Sequence, residues 1–213
     1  MRAIVFDFDG TLIDCKERQS LLAASLCQAS GFNLDVEAFW SSKRDGATTG
    51  SAICAQGVEK SISSYISKLW VDQIESDTWL RMDRLFPEVM RSLRDARDQG
   101  FRLHLLTARS NNSALIRQLR WLSIDGFFDH VEIVRPEKAS QLKANYLAAV
   151  SPIIFIGDTE SDASAATAAQ IRFMAVTTGQ RSADYLQGQV KIESSHIKTN
   201  LRCAIRDGIN ELE

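Results

Sequence analysis

The sequence predicts an α/β fold: a parallel sheet with helices on both faces, interrupted near its start by an inserted helical unit. Three observations point there. Residues 2–8 are rich in β-branched and aromatic side chains, and the run is short enough for a buried strand that Gly10 then breaks. From Arg102 to Val176, short apolar runs alternate with single helical stretches, the pattern of a parallel sheet with right-handed crossovers. Between these two regions, residues 15–82 read as helix without a convincing strand.

Taken in order, the first strand brings Asp7 and Asp9 to one side and turns Phe8 to the other, because strand side chains alternate with period two. A first helix over residues 17–30 carries Leu21, Leu22 and Leu26, with Gly31 as its stop. Val36, Phe39 and Trp40 form a second, shorter stripe. Residues 41–50 read as a polar, glycine-bounded loop holding Lys43 and Arg44, either a solvated connector or a substrate-reading loop. Ile62, Tyr65, Ile66, Leu69 and Trp70 mark the clearest amphipathic helix of the insert, and their stripe is core. Pro87 opens a helix with Val89, Met90, Leu93 and Ala96 on one face, and Gly100 ends it.

The alternation then runs through strand 103–106, helix 114–122, strand 131–134, helix 139–149, strand 153–156, helix 163–169 and strand 173–176. A closing helix is expected over residues 201–212. No internal repeat or low-complexity segment is present.

Composition excludes several function classes. The 213 residues are 45% hydrophobic and 24% charged, as in an ordinary globular protein. Net charge is −2, from 25 basic and 27 acidic residues, and no basic run suggests a nucleic-acid surface. Cys15, Cys27, Cys54 and Cys203 form no CxxC pair and read as reduced thiols. No apolar segment is long enough to span a membrane, so the expectation is a cytoplasmic protein without nucleic-acid or membrane partners.

The chemistry gathers where the strands end. Asp7 and Asp9 repel each other and call for a positive partner; a divalent cation such as Mg²⁺ is the natural one, leaving one carboxylate as nucleophile and the other to exchange protons. The next strand ends in Thr107-Ala108-Arg109, offering a hydroxyl and backbone N–H groups near a helix start. Lys138 opens the helix after the third strand and can reach the same centre. The fourth strand ends in Gly157-Asp158-Thr159-Glu160-Ser161-Asp162. Singly, Thr107 reads as a cap, Lys138 as a surface lysine, and Asp158 and Asp162 as first-turn acids. Their joint occurrence at one edge of one sheet points to a phosphate and its metal.

These four segments resemble the motifs of the haloacid dehalogenase-like hydrolase superfamily: Asp7-Phe8-Asp9-Gly10-Thr11 the first, Thr107 the second, Lys138 the third, and residues 157–162 the fourth. The resemblance spans the chain. It implies a Rossmann-like core over residues 1–14 and 83–213 and an α-helical cap over 15–82. It further implies that Asp7 is the nucleophile, forming an aspartyl-phosphate, and that Asp9 is the general acid and then base. Mg²⁺ would be held by Asp7, the backbone carbonyl of Asp9 and Asp158, with Asp162 and Thr11 in support. Thr107, Ala108, Gly10 and Lys138 would bind the phosphoryl group. Lys143, five residues on, is the alternative lysine; Lys138 is favoured because a helix start faces the strand ends. Members with this cap often carry a lysine-proline pair at the third motif, whereas here Arg135-Pro136 precedes Glu137-Lys138.

Dehalogenases of the superfamily typically lack the second acid, so Asp9 favours phosphoryl transfer. The resemblance ranks a phosphatase acting on a small phosphorylated metabolite first, a sugar-phosphate mutase second and a phosphonate-cleaving enzyme third. A catalytically idle binding or regulatory module is the contrasting class, and the presence of Asp7, Asp9 and Asp158 argues against it. Lys16, Arg18, Lys43, Arg44, Thr48 and Thr49 are the candidates for reading the substrate.

Overall fold

The structure is a computed structural model and describes residues 2–210. In chain order the elements are β1 (Ala3–Phe6), β2 (Ile13–Asp14), α1 (Lys16–Ala29), α2 (Val36–Arg44), α3 (Thr49–Cys54), α4 (Lys60–Gln73), α5 (Asp77–Leu80), β3 (Arg84–Leu85), α6 (Val89–Asp98) and β4 (Arg102–Ala108). There follow α7 (Asn112–Trp121), β5 (His130–Val134), α8 (Ala139–Val150), β6 (Ile154–Gly157), α9 (Glu160–Ala169), β7 (Phe173–Val176), α10 (Ala183–Gly188), β8 (Ile197–Lys198) and α11 (Leu201–Asn210).

Six strands form one parallel sheet in the order β5-β4-β1-β6-β7-β8, so β1 lies inside it, hydrogen-bonded to β4 and β6. The period-two pattern sorts its residues onto two cores. Ile4 and Phe6 pack with Leu93 of α6, Leu115 and Leu119 of α7 and Ile205 of α11. Val5 packs on the other face with Leu147 of α8 and Ala165 and Ala166 of α9. Burying both faces of the sheet is the main source of its stability.

The helical stretch has a separate core of Ala23, Cys27, Phe39, Ala52, Ile53, Val58 and Ile66, drawn largely from α1 to α4. It is joined to the sheet where β2 and β3 pair antiparallel, Ile13 with Leu85 and Asp14 with Arg84. Both chain crossings therefore sit side by side.

Several boundaries differ from expectation. β1 stops at Phe6 instead of continuing to residue 8, because Phe8 already accepts turn hydrogen bonds from Thr11, Leu12 and Ile13. The loop expected over residues 41–50 is mostly helix: α2 runs to Arg44 and α3 starts after Thr48, whose side chain accepts from the Ser51 N–H. β8 and α10 had too few residues to show a period. α11 reaches Asn210, and the rest of the expected closing helix lies outside the described residues. Among the described residues, no helix is long and apolar enough to cross a membrane.

Candidate active site

β1, β4 and β6 deliver their carboxyl ends to one place. Asp7 follows β1, Thr107 lies near the end of β4, and Asp158 follows β6; all three are buried. Asp162 sits in the first turn of α9, where Thr159 and Asp162 form a reciprocal capping box. Its second oxygen accepts from the Thr159 hydroxyl at 2.6 Å, so the cap fixes the carboxylate against the site.

The cation at this centre is Lys143. Its Nζ donates to Asp7 Oδ1 at 2.7 Å and to Asp162 Oδ1 at 2.6 Å. Lys138, favoured from the sequence, is exposed and ends a 3₁₀ turn (Pro136–Lys138) that precedes α8. That turn shifts the start of the α-helix, and helical side chains lean toward the helix N-terminus, so Lys143 one turn in reaches back to the strand ends. Lys143 thus takes the position expected of Lys138.

Asp158 is enclosed by backbone. Its Oδ2 accepts from the Gln180 N–H at 2.6 Å, and its Oδ1 faces the Thr11 hydroxyl at 3.4 Å. A Cβ on Gly10 would stand 2.3 Å from Asp158 Oδ2, and one on Gly179 only 2.0 Å, so both must be glycine. Gly10 also has φ +80°, in the left-handed region. Its N–H, expected to meet phosphate, donates to the Ile13 carbonyl at 2.9 Å and its carbonyl accepts from Thr178, so Gly10 builds the turn. Thr107 and Ala108 line a cavity of about 380 Å³ together with Asp7, Asp9 and Lys143.

Carboxylate atoms of Asp7, Asp158 and Asp162 lie within 4.8 Å of one another, all buried. Three acids share one lysine. Burial pushes the Asp7 carboxyl up to about 7, only partly offset by Lys143 and reinforced by Asp162. Asp158 is pushed well above the usual range by burial, then by Asp7 and Asp162. Lys143 is held above its ordinary value: burial alone would lower it, but Asp162 and Asp7 outweigh that. A set of hard oxygen ligands with surplus negative charge fits a divalent cation such as Mg²⁺.

Asp9 stands in the opposite environment. Arg109 donates to both of its oxygens at 2.8 Å, and Arg18 from α1 donates to Oδ1. Burial would raise the Asp9 carboxyl, but the charges and hydrogen bonds of Arg109 and then Arg18 hold it below its ordinary value. Arg18 is fixed in turn by Asp83 (2.9 Å) and the Ile74 carbonyl (3.2 Å), while Gln118 joins Asp83 to Arg109 at 2.6 and 3.3 Å. Asp9, Arg18, Asp83, Gln118 and Arg109 make a closed ring of side chains at the junction of sheet and insert.

A sequence model of the haloacid dehalogenase-like hydrolases matches residues 1–170. The chain belongs to that family. No curated relative matches this hydrolase. Its fold is that of solved family structures. A haloacid dehalogenase-like family hydrolase from Streptococcus pneumoniae is 20% identical, with TM-score 0.76 over 100% of this chain and 99% of that one. A protein named as a predicted phosphatase from Clostridium acetobutylicum is 17% identical, with TM-score 0.73 over 99% and 98%. One named as a predicted phosphoglycolate phosphatase from Haemophilus somnus is 18% identical, with TM-score 0.69 over 97% of each.

Of the expected substrate readers in this hydrolase, only Arg18 lines the cavity. Lys16 pairs with Glu37 at 2.8 Å on the surface. Arg44 donates to the Gly179 and Thr177 carbonyls, tying α2 to the sheet, and Thr48 caps α3. Lys43 is buried, 3.3 Å from the Thr49 hydroxyl and above the Trp70 ring. Burial, then Arg181, brings it down to about 8. The side chains of Arg109, Asp83 and Gln118 were missed, because their signal is pairing across more than one element and not a local motif.

Proposed function

We propose that the chain is a Mg²⁺-dependent phosphatase that hydrolyses a small-molecule phosphate monoester through an aspartyl-phosphate on Asp7. The observation that carries this reading is the buried cluster of Asp7, Asp158 and Asp162, with Lys143 bonded to Asp7 and Asp162, beside a cavity lined by Asp7, Lys143, Asp9 and Thr107. Residues 15–82 act as the cap, and Trp70, Val71 and Ile74 give the cavity an apolar wall on that side.

Asp7, Asp158 and the Asp9 backbone carbonyl would hold the cation, with Asp162 and Thr11 in support. Bound there, Mg²⁺ supplies positive charge that offsets the repulsion between a carboxylate and an incoming phosphate. Lys143, the Thr107 hydroxyl and the backbone at Ala108 bind phosphoryl oxygens and orient the ester in line with Asp7. An Asp7 oxygen bonds to phosphorus as the ester P–O bond breaks; Asp9, which must leave the two guanidiniums and take up a proton as the ester binds, gives that proton to the departing oxygen. Asp9 then takes a proton from water as that water attacks phosphorus, releasing inorganic phosphate and restoring Asp7. The apolar cap wall limits access of bulk water to the acyl phosphate.

The test is phosphate release from a panel of phosphate monoesters with and without Mg²⁺. Release that requires Mg²⁺ is expected. Absence of release from every ester, or release indifferent to chelation, contradicts the reading.

A further inference from the structure

We propose that Arg18 and Arg109 form a subsite for a second anionic group on the substrate, a carboxylate or second phosphate a few atoms from the phosphoryl group that is removed. The inference rests on the phosphatase reading and adds the substrate class. Both guanidiniums are buried and line the same cavity as Asp7 and Lys143. Arg109 presents the edge formed by Nε and Nη2, each 2.8 Å from an Asp9 oxygen. That fork suits any carboxylate or phosphate. Arg18 is held by Asp83 and the Ile74 carbonyl, so it stands in place before a ligand arrives.

The two arginines face two acids. Asp83 is committed to Arg18 and Gln118, and Asp9 supplies the second negative charge. Asp9 has another task, to stand at the departing oxygen, and it cannot fill both places at once. A substrate anion that replaces Asp9 on the fork keeps both guanidiniums paired and frees Asp9 to swing toward the ester. A neutral ester leaves Asp9 pinned. Trp70, Val71 and Ile74 give the cavity an apolar wall, which suits a short hydrocarbon link between the two anions, although Glu75 and Glu137 also line it.

The test uses non-hydrolysable probes and calorimetry in Mg²⁺-containing buffer: 3-phosphonopropanoate, ethane-1,2-diphosphonate and the singly anionic propylphosphonate. The doubly anionic probe of the right kind should bind roughly 10- to 100-fold more tightly than propylphosphonate. The preferred probe distinguishes carboxylate from phosphate. In Arg109→Lys and Arg18→Lys, which keep the charge and lose the fork, the ratio should collapse to within about threefold. Equal binding of all three probes by the wild type overturns the subsite, as does a ratio that survives both substitutions. Turnover separates this from the parent reading: equal binding with turnover removes only the subsite, and a wild-type preference that both substitutions abolish, without turnover, removes only the phosphatase.

Discussion

The two aspartates of the first turn are separated by Phe8 alone yet stand in opposite electrostatic surroundings. Around Asp7, three carboxylates share Lys143, and the carboxyl is pushed up to about 7 by burial. Around Asp9, two guanidiniums converge on one carboxylate and hold it below its ordinary value despite burial. The first half of the site is short of positive charge, whereas in the second two arginines are matched by Asp9 and Asp83. A site of this kind is built around a ligand with both a cation and anions in it, and its protein charges are balanced only in part without them.

Substituting each aspartate should separate the halves most sharply. Asp7→Asn should lower phosphate release by a factor on the order of 10⁴ or more, because the nucleophile is gone. The same change relieves the crowded carboxylates, so the metal-free protein should melt at a higher temperature than wild type. Asp9→Asn leaves Arg109 without a carboxylate and Arg18 with Asp83 alone, and should destabilise by about 3–5 kcal/mol, read by chemical denaturation. Equal effects of both changes on stability would erase the contrast.

The lysines come next. Lys143→Ala removes the one cation of the Asp7 half and should cost about 3–5 kcal/mol together with most activity. Lys138→Ala, at an exposed turn, should stay within about 0.5 kcal/mol and leave KM unaltered.

Acidity offers a third comparison. Asp7 has an ordinary value of 3.8 and a folded value near 7, so the folded protein binds this proton more tightly than the unfolded chain. Its contribution to stability is full below 3.8 and is lost as pH rises through about 7. Asp9, shifted the other way, contributes above its ordinary value and is lost on acidification. In thermal melts of the metal-free protein, the Asp7→Asn variant should therefore lose less stability than wild type between about pH 4 and pH 7. Mg²⁺ should raise the melting temperature more at about pH 7.5 than at about pH 5, since bound metal requires ionised carboxylates. A smaller effect is expected from Gly179→Ala: its Cβ would meet Asp158 Oδ2 at 2.0 Å, displacing that carboxylate and weakening Mg²⁺ binding about tenfold by calorimetry.

The gathering of strand ends around Asp7 was legible in the sequence, and so were Asp9 and Arg18, but their pairing through Asp83, Gln118 and Arg109 was not. Asp7, Thr107, Asp158 and Asp162 follow strands whose apolar runs announce them, and a parallel sheet gathers its strand ends by construction. Lys143, the alternative to Lys138, is the lysine that bonds Asp7 and Asp162, because Pro136 starts a 3₁₀ turn that local pattern does not distinguish from the first turn of α8. The arginine ring draws on α1, the segment before β3, the loop after β4, and α7, with Arg18 and Asp83 separated by 65 residues. No periodicity reports a partner at that distance. Likewise Lys43 and Arg44 read as loop cations, yet they sit on a helix, one buried and the other anchoring the insert to the sheet.

The central claim is that Asp7 carries the phosphoryl group. Rapid acid quench during turnover of the best ester, followed by proteolysis and mass spectrometry, tests it directly. A single phosphoryl adduct on the peptide containing Asp7, absent in Asp7→Asn, is predicted. Steady turnover with no adduct, or an adduct on another residue, contradicts the account.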